Sequence, residues 1–326
     1  DVEYTFRERW EDPTPLDHRS PWRAAIARMI REPRHARKLP APPDAESATG
    51  PHAVQMLRTY PARRTPYPFA SHGERSIARA YLKAFARARA LIYIEDQYLW
   101  SPEASSALAD ALNRAPQLRI VAVVPRVPDR DGRFSGPPYR IGQQRAIDRL
   151  RAAGNDRVAV YDLEAESGWP IYVHAKVCIV DDVWMTVGSD NLNRRSWTND
   201  SEASCAVIDE ALDPRDPSDP GGLGDGARCL ARETRLRLWR EHSGITNEEA
   251  LLDPATGFAV LSERARALDA WNDQGRVGAR PPGRLRHHRP EPVRALAASW
   301  AEPLYRTLVD PDGRPRAMRR RQLDAL

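Results

Sequence analysis

Segments with the periodicity of strands and of helices alternate along the middle of the chain. Short runs of consecutive apolar residues, typical of buried strands, are separated by stretches in which apolar residues recur every three or four positions. The predicted strands span residues 54–60, 91–95, 118–124 and 158–163, and the helices between them contain Ile77, Tyr81 and Phe85, then Leu108 and Leu112, then Ile141 and Leu150. Because helices connect successive strands, we predict an α/β fold with a mixed, mostly parallel sheet flanked by helices.

Local signals mark two helix starts and one hairpin. Ser101 followed by Pro102 is typical of a helix start, and Ser71–Glu74 has capping-box spacing, so a helix is expected to begin there too. After Ile171 two strands, 171–180 and 183–187, are joined at Asp181-Asp182, which predicts a hairpin. A last strand is predicted at 203–208, before a loop rich in Pro, Gly and Asp.

Composition divides the chain into three parts. Residues 1–50 are predicted to form two short helices, around Tyr4–Trp10 and Trp22–Arg31, followed by a Pro/Ala-rich linker. Residues 51–245 contain the alternating pattern and are predicted to form the main domain. Residues 246–326 are rich in Pro and Arg, and we predict a peripheral, basic C-terminal extension.

Bulk composition indicates a globular protein. Of the 326 residues, 41% are hydrophobic and 29% charged, which excludes a disordered polymer. No stretch approaches eighteen consecutive apolar residues and no export peptide is visible, so we predict a cytoplasmic protein that contacts membranes only peripherally. The first residue is not Met, and an N-terminal part is expected to be missing. The three cysteines are too few for a disulfide framework and lack zinc-site spacing, so no metal or cofactor is predicted.

The chemistry is concentrated between residues 174 and 193. Side chains two apart on a strand share a face, so His174 and Lys176 are predicted to project together as a nucleophile beside a fixed cation. Ser189 and Asn191 follow Gly188 at the next strand end, where a hydroxyl and an amide could complete a phosphate cradle. An HxK pair alone arises by chance in about 7% of such chains, so the rest of the string is needed for specificity.

The complete string resembles the HxKx4Dx6GSxN signature of the phospholipase D superfamily. The matching residues are His174, Lys176, Asp181, Gly188, Ser189 and Asn191. Ile94–Tyr98 resembles the IENQ(Y/F) strand end of the bacterial phosphatidyl-transferring branch, with Asp96 in place of the usual Asn, and the flanks resemble the later half of such proteins. The resemblance covers about residues 51–245 and implies a phospholipase D-like catalytic half-domain.

The resemblance implies a phosphoric diester hydrolase that hydrolyses or transphosphatidylates glycerophospholipids through a phosphohistidine. It implies catalytic roles for His174, Lys176, Asp181 and Glu202, and phosphate binding by Lys176, Ser189, Asn191 and Gln97. Within that set, Glu202 resembles the carboxylate that orients the signature histidine, with Asp200 as second choice. Asp181 has the opposite strand parity and lies at the hairpin, so we expect it to support the turn rather than touch substrate.

One departure affects the expected partners. Proteins of this branch have two signatures that supply two histidines to a shared site, and this sequence has one HxK with that spacing. We therefore expect a second half, either a missing N-terminal half or the mate in a homodimer. The other expected partners are a phospholipid substrate and a membrane surface, whereas nucleic acid is less favoured.

Two alternative functions stay open. One is a homodimeric nuclease or other phosphodiesterase of the same superfamily, which the high Arg content would suit. The other is a catalytically silent half-domain that binds a membrane or a protein. Steep loss of binding with salt would favour the first, and vesicle binding that survives loss of His174 and Lys176 would favour the second.

Overall fold

A computed structural model describes residues 2–12, 39–41, 50–63, 66–128 and 136–319. The predicted helix Trp22–Arg31 and most of the predicted linker lie outside these residues. The described strands are β1 (His52–Tyr60), β2 (Glu74–Arg75), β3 (Leu91–Asp96), β4 (Arg119–Val123), β5 (Val158–Glu164), β6 (Pro170–Ile171), β7 (Lys176–Val180), β8 (Trp184–Gly188), β9 (Glu202–Asp209) and β10 (Leu285–His287).

The three helices that the apolar periodicity predicts, which contain Ile77, Leu108 and Ile141, are present, and the structure has further helices besides them. Within the described ranges the α-helices are α1 (Val2–Trp10), α2 (Ser76–Arg87), α3 (Pro102–Arg114), α4 (Gly136–Gly154), α5 (Arg194–Thr198), α6 (Cys229–Ser243), α7 (Glu249–Leu252), α8 (Pro254–Asp273), α9 (Ala295–Leu304) and α10 (Arg316–Arg319). A 3₁₀ turn spans Asn155–Arg157 and a π-helical turn spans Tyr305–Val309.

One predicted helix start is confirmed and the other is wrong. Ser101 Oγ accepts a hydrogen bond of 3.1 Å from the backbone N–H of Ala104 and so caps α3. By contrast, α2 begins at Ser76, beyond the expected capping box. Glu74 lies in β2 instead, where its carboxylate forms an ion pair of 2.7 Å with Arg58 of β1.

The strands form one mixed sheet in the order β10-β5-β4-β3-β7-β8-β9-β1-β2, with β6 paired to β5. The α/β class is confirmed, but the expectation of a mostly parallel sheet is wrong. Among the described strands, only β3–β4 and β4–β5 pair in parallel, and these are the pairs that α3 and α4 connect. The strands β7, β8 and β9 form an antiparallel meander, and β7 also pairs antiparallel with β3, which lies far from it in sequence.

The sheet separates two hydrophobic cores. Side chains of β3 alternate between them: Ile92 and Ile94 pack towards α2, α3 and α4, whereas Leu91 and Tyr93 pack towards α6 and α8. This alternation explains why β3 is a continuous apolar run, since both of its faces are covered.

The segment beyond residue 245 packs on the same sheet. Phe258, Leu261 and Ala265 of α8 belong to the second core, and β10 pairs antiparallel with β5. The division of the chain at residue 245 stays a prediction, but helix and strand from both sides of it contribute to one core.

Candidate active site

Four strand ends meet at one edge of the sheet. There β3 ends at Asp96, β7 begins at Lys176, β8 ends at Gly188 and β9 begins at Glu202. Asp96 is directly paired with Lys176 across the antiparallel β3–β7 ladder. The topology thus brings together polar residues that are widely separated in sequence.

The predicted strand 171–180 is interrupted just before this edge. β6 pairs with β5, whereas β7 pairs with β3, and β4 lies between those two partners. Residues 172–175 therefore cross the end of β4 and belong to neither ladder. His174 lies in this crossing segment, and Lys176 is the first residue of β7.

His174 and Lys176 nevertheless lie on the same side of the chain. Val173 and Ala175, the two residues that alternate with them in sequence, both pack in the core beside α6 and α8. His174 is exposed to solvent. The Lys176 ammonium donates a hydrogen bond of 2.8 Å to the carbonyl oxygen of His174, which fixes the cation beside the imidazole-bearing residue.

Gln97 connects Lys176 to a residue outside the predicted site. Its Oε1 accepts a hydrogen bond of 3.1 Å from Lys176 Nζ, and its Nε2 donates one of 2.7 Å to the hydroxyl oxygen of Tyr172. Gln97 was predicted to bind phosphate, and that role stays a prediction. In the structure its amide positions the lysine and the tyrosine.

Asp96 joins two loops beneath the site. One carboxylate oxygen accepts backbone hydrogen bonds of 2.8 and 2.6 Å from Tyr98 and Leu99, and the other accepts one of 2.8 Å from Leu192. Burial raises the pKa of Asp96, although these three N–H donors oppose the shift. Asp96 thus ties the end of β3 to the loop that contains Asn191.

Glu202 holds two serines. Its carboxylate accepts hydrogen bonds from the hydroxyls of Ser189 and Ser196, the latter at 2.8 Å. Burial raises the pKa of Glu202, partly offset by these hydroxyl donors. Among the described residues its hydrogen-bond partners are serines and not the His174 ring, so the orienting role of Glu202 stays a prediction.

The loop from Gly188 to Asn191 is tightly constrained. A Cβ at Gly188 would lie 2.5 Å from the Cα of Ser204, so this position requires glycine. Ser204 donates a hydrogen bond to the buried carboxylate of Asp190, whose pKa burial raises to about 7. Asn191 is 7% exposed, and within the described structure its Oδ1 is buried without a hydrogen-bond partner. Oδ1 is an acceptor, so this buried atom is suited to a hydrogen-bond donor, and only the NH₂ end of the amide could donate to a ligand oxygen.

Asp181 lies at the other end of β7 from Lys176. Its carboxylate accepts hydrogen bonds of 2.8 Å each from the backbone N–H groups of Arg89, Ala90 and Leu91. Asp181 has φ 52° and the next residue has φ 58°, both left-handed, as a two-residue hairpin turn requires. The carboxylate therefore holds the hairpin against the start of β3, and it does not share a location with the other candidate catalytic residues.

The structure adds a buried pair that the sequence did not reveal. Glu95 accepts hydrogen bonds of 2.8 Å from His242 and 2.5 Å from the Tyr93 hydroxyl. Burial pushes the pKa of Glu95 up, but the hydrogen bond and charge of His242 and the bond from Tyr93 outweigh it and lower the pKa. His242 lies 147 residues further along the chain, so no local spacing could indicate the pair.

Two family profiles and several individual proteins are similar to this chain. A profile described as "Phospholipase D" matches residues 151–280, and one described as "Cardiolipin synthase, PLD-like domain" matches residues 81–213. Phospholipase D1 of Schizosaccharomyces pombe is 28% identical over 68% of this chain and 20% of its own length. Phospholipase D zeta 1 of Arabidopsis thaliana is 29% identical over 57% of this chain and 21% of its own length.

The chain spans about a fifth of the length of these two relatives. Among solved structures, phosphatidylserine synthase of Haemophilus influenzae Rd KW20 is 16% identical, with a TM-score of 0.40 over 70% of this chain and 48% of that protein. The matched profiles include every residue of the string from His174 to Asn191.

Proposed function

Because the chain belongs to the phospholipase D superfamily, we propose that it is a phosphoric diester hydrolase of the phospholipase D type. Its proposed reaction is the hydrolysis or transphosphatidylation of glycerophospholipids through a phosphohistidine. The observation that supports this most directly is the exposed His174 with the Lys176 ammonium fixed beside it. Membership of the bacterial phosphatidyl-transferring branch stays a prediction.

The proposed chemistry has two displacement steps at phosphorus. A neutral ring nitrogen of His174 attacks, an N–P bond forms, and the P–O bond to the head-group alcohol breaks. A second acid gives its proton to the leaving alkoxide. Water or an acceptor alcohol then attacks phosphorus, the N–P bond breaks, and the former acid takes up the proton of the attacking group.

The second acid has to come from outside this chain's signature. His242 and His288 are buried in the described structure and bonded to the carboxylates of Glu95 and Asp162. Neither has the exposure that proton transfer to a lipid head group requires. Because the resemblance implies two signatures at one shared site, we propose that a second half with its own signature supplies the acid, as part of a longer protein or as a second copy of this chain.

The remaining site residues are proposed to bind the phosphoryl oxygens. Lys176 would neutralise their charge, and the amide of Asn191 would donate to one of them, a contribution that preorganised donors make in many enzymes. The Ser189 hydroxyl donates to Glu202 in this structure, so it has to turn its proton towards phosphate to take part. Glu202 would then be available to orient His174.

The proposed location is the cytoplasm, with peripheral contact with a phospholipid surface. None of the helices in the described ranges has both the length and the apolar content to cross a bilayer. The candidate edge is open to solvent at His174 and Ser189, so a lipid head group can approach it from outside.

The test is His174→Asn, assayed on phosphatidylcholine vesicles with light scattering to record the assembly that turns over. We expect at least about a 1,000-fold loss of kcat, because the nucleophile is removed. The matched control is His52→Asn at the opposite sheet edge, which should retain activity. Undiminished turnover in His174→Asn would contradict the proposal, and vesicle binding without turnover in any assembly would indicate a silent binding domain instead.

A further inference from the structure

Tyr172 lies beside the candidate site but outside the signature. It is in the crossing segment before β7, two residues from His174, and 45% of its side chain is exposed. The rings of Tyr172 and His174 are inclined by 25°, with centroids 6.3 Å apart. A tyrosine with this exposure, next to the proposed nucleophile, can contact the group that the nucleophile attacks.

The direction of the Gln97 amide determines what the Tyr172 hydroxyl can do. Lys176 is a donor only, so the end of the amide that faces its ammonium has to be the acceptor Oε1. The NH₂ end therefore faces Tyr172 and donates to the phenolic oxygen at 2.7 Å. Because that oxygen already accepts, its own O–H proton points elsewhere, and no described residue accepts it.

We propose that Tyr172 is a phosphate-binding residue, whose hydroxyl donates to a non-bridging oxygen of the phosphodiester held by Lys176. Gln97 is then a positioning residue, which fixes a cation at one end of its amide and a hydroxyl donor at the other. This inference rests on the proposed function and extends its site by one residue. The ligand class is a phosphodiester monoanion, and inorganic phosphate shares the same oxygens.

The geometry favours this role over a purely structural one. Tyr172 is exposed, so its ring is open to a ligand, and the bond from Gln97 holds its hydroxyl in place. The Gln97 side chain bridges the Tyr172 hydroxyl and the Lys176 ammonium, so both of these donors lie within reach of one phosphoryl group. A hydrogen bond to a charged acceptor is worth about 1.5–3 kcal/mol, which corresponds to roughly a 10- to 100-fold effect.

The test is Tyr172→Phe in the full chain, in the assembly that turns over phosphatidylcholine. Two quantities are measured: kcat/KM on a chromogenic phosphodiester, and the affinity for inorganic phosphate by calorimetry. We expect kcat/KM to fall about 10- to 100-fold and phosphate to bind more weakly, with an unchanged melting temperature. Tyr4→Phe, an exposed tyrosine on α1, is the matched control and should alter neither quantity.

A second variant separates the hydroxyl from its support. In Gln97→Leu the tyrosine loses the donor that orients it, so adding Tyr172→Phe to that background should have a smaller effect than in the wild type. If the wild type turns over substrate and Tyr172→Phe matches it in both quantities, the Tyr172 proposal is wrong and the proposed function still stands. If the wild type neither turns over a diester nor binds phosphate, the proposed function fails and the Tyr172 proposal with it.

Discussion

The carboxylate of Asp310 accepts a hydrogen bond of 2.7 Å from the backbone N–H of Arg195, 115 positions earlier in the chain. Arg195 belongs to α5, which begins three residues after Asn191. Asp310 is fully buried and also accepts a bond of 2.9 Å from the Tyr305 hydroxyl. The segment from Tyr305 to Asp310 therefore supports the loop that contains the predicted phosphate-binding residues.

This contact predicts a pH dependence of stability. Burial raises the pKa of Asp310 from 3.8 to about 6, against the opposing backbone bond from Arg195. A raised pKa means that the folded state binds the proton more tightly than the unfolded chain. The stabilisation is therefore complete below pH 3.8 and is lost as the pH rises through 6, by roughly 3 kcal/mol in total.

Asp310→Asn keeps the shape and removes this titration. We expect the variant to gain free energy of unfolding relative to the wild type as the pH rises from 5 to 8, measured by urea unfolding. Asp190, whose pKa is also raised, titrates in both proteins and cancels in the difference. Parallel pH curves for the two proteins would contradict the assignment.

A second prediction concerns Gly313. A Cβ at this position would lie 1.8 Å from the carbonyl oxygen of Thr198, and the Gly313 N–H donates a bond of 2.9 Å to the Thr198 hydroxyl. Gly313→Ala should therefore cost about 1–3 kcal/mol, because backbone has to move. The control is Gly50→Ala, which meets nothing within 4 Å. Equal melting temperatures of the two variants would argue against close packing of this segment on α5.

The third prediction separates Asp181 from the chemistry. Asp181→Asn keeps a residue that tolerates the left-handed turn but weakens the hold on three backbone N–H groups. We expect a loss of about 1–3 kcal/mol of stability, with kcat within about threefold of the wild type well below the melting temperature. A large loss of kcat without a loss of stability would place Asp181 in contact with substrate.

The sequence was informative where the determining contacts are local. The hairpin at Asp181-Asp182 and the start of α3 at Ser101 were predicted because a two-residue turn and an N-cap depend on adjacent residues. The capping box at Ser71–Glu74 failed because Arg58, from another strand, binds Glu74. Competition of this kind is not visible in local spacing.

Long-range pairing explains the other differences. β3 pairs with β4, the next strand along the chain, and also with β7. Lys176, the first residue of β7, lies 80 residues after Asp96 and is paired directly with it. That pairing joins the antiparallel strands β7, β8 and β9 to the parallel part of the sheet, and it interrupts the predicted strand before Lys176. The same register brings Gln97 to Lys176, and the roles of Tyr172 and His242 could be inferred only once these contacts were known.

The proposed reaction requires His174 to form a covalent bond to phosphorus. The most direct measurement is rapid quenching of the active assembly with phosphatidylcholine, followed by peptide mass spectrometry under conditions that preserve phosphohistidine. We expect a phosphatidyl adduct on His174 that forms within the first turnover and is absent from His174→Asn. Turnover with no adduct on His174, or with the adduct on another residue, would contradict it.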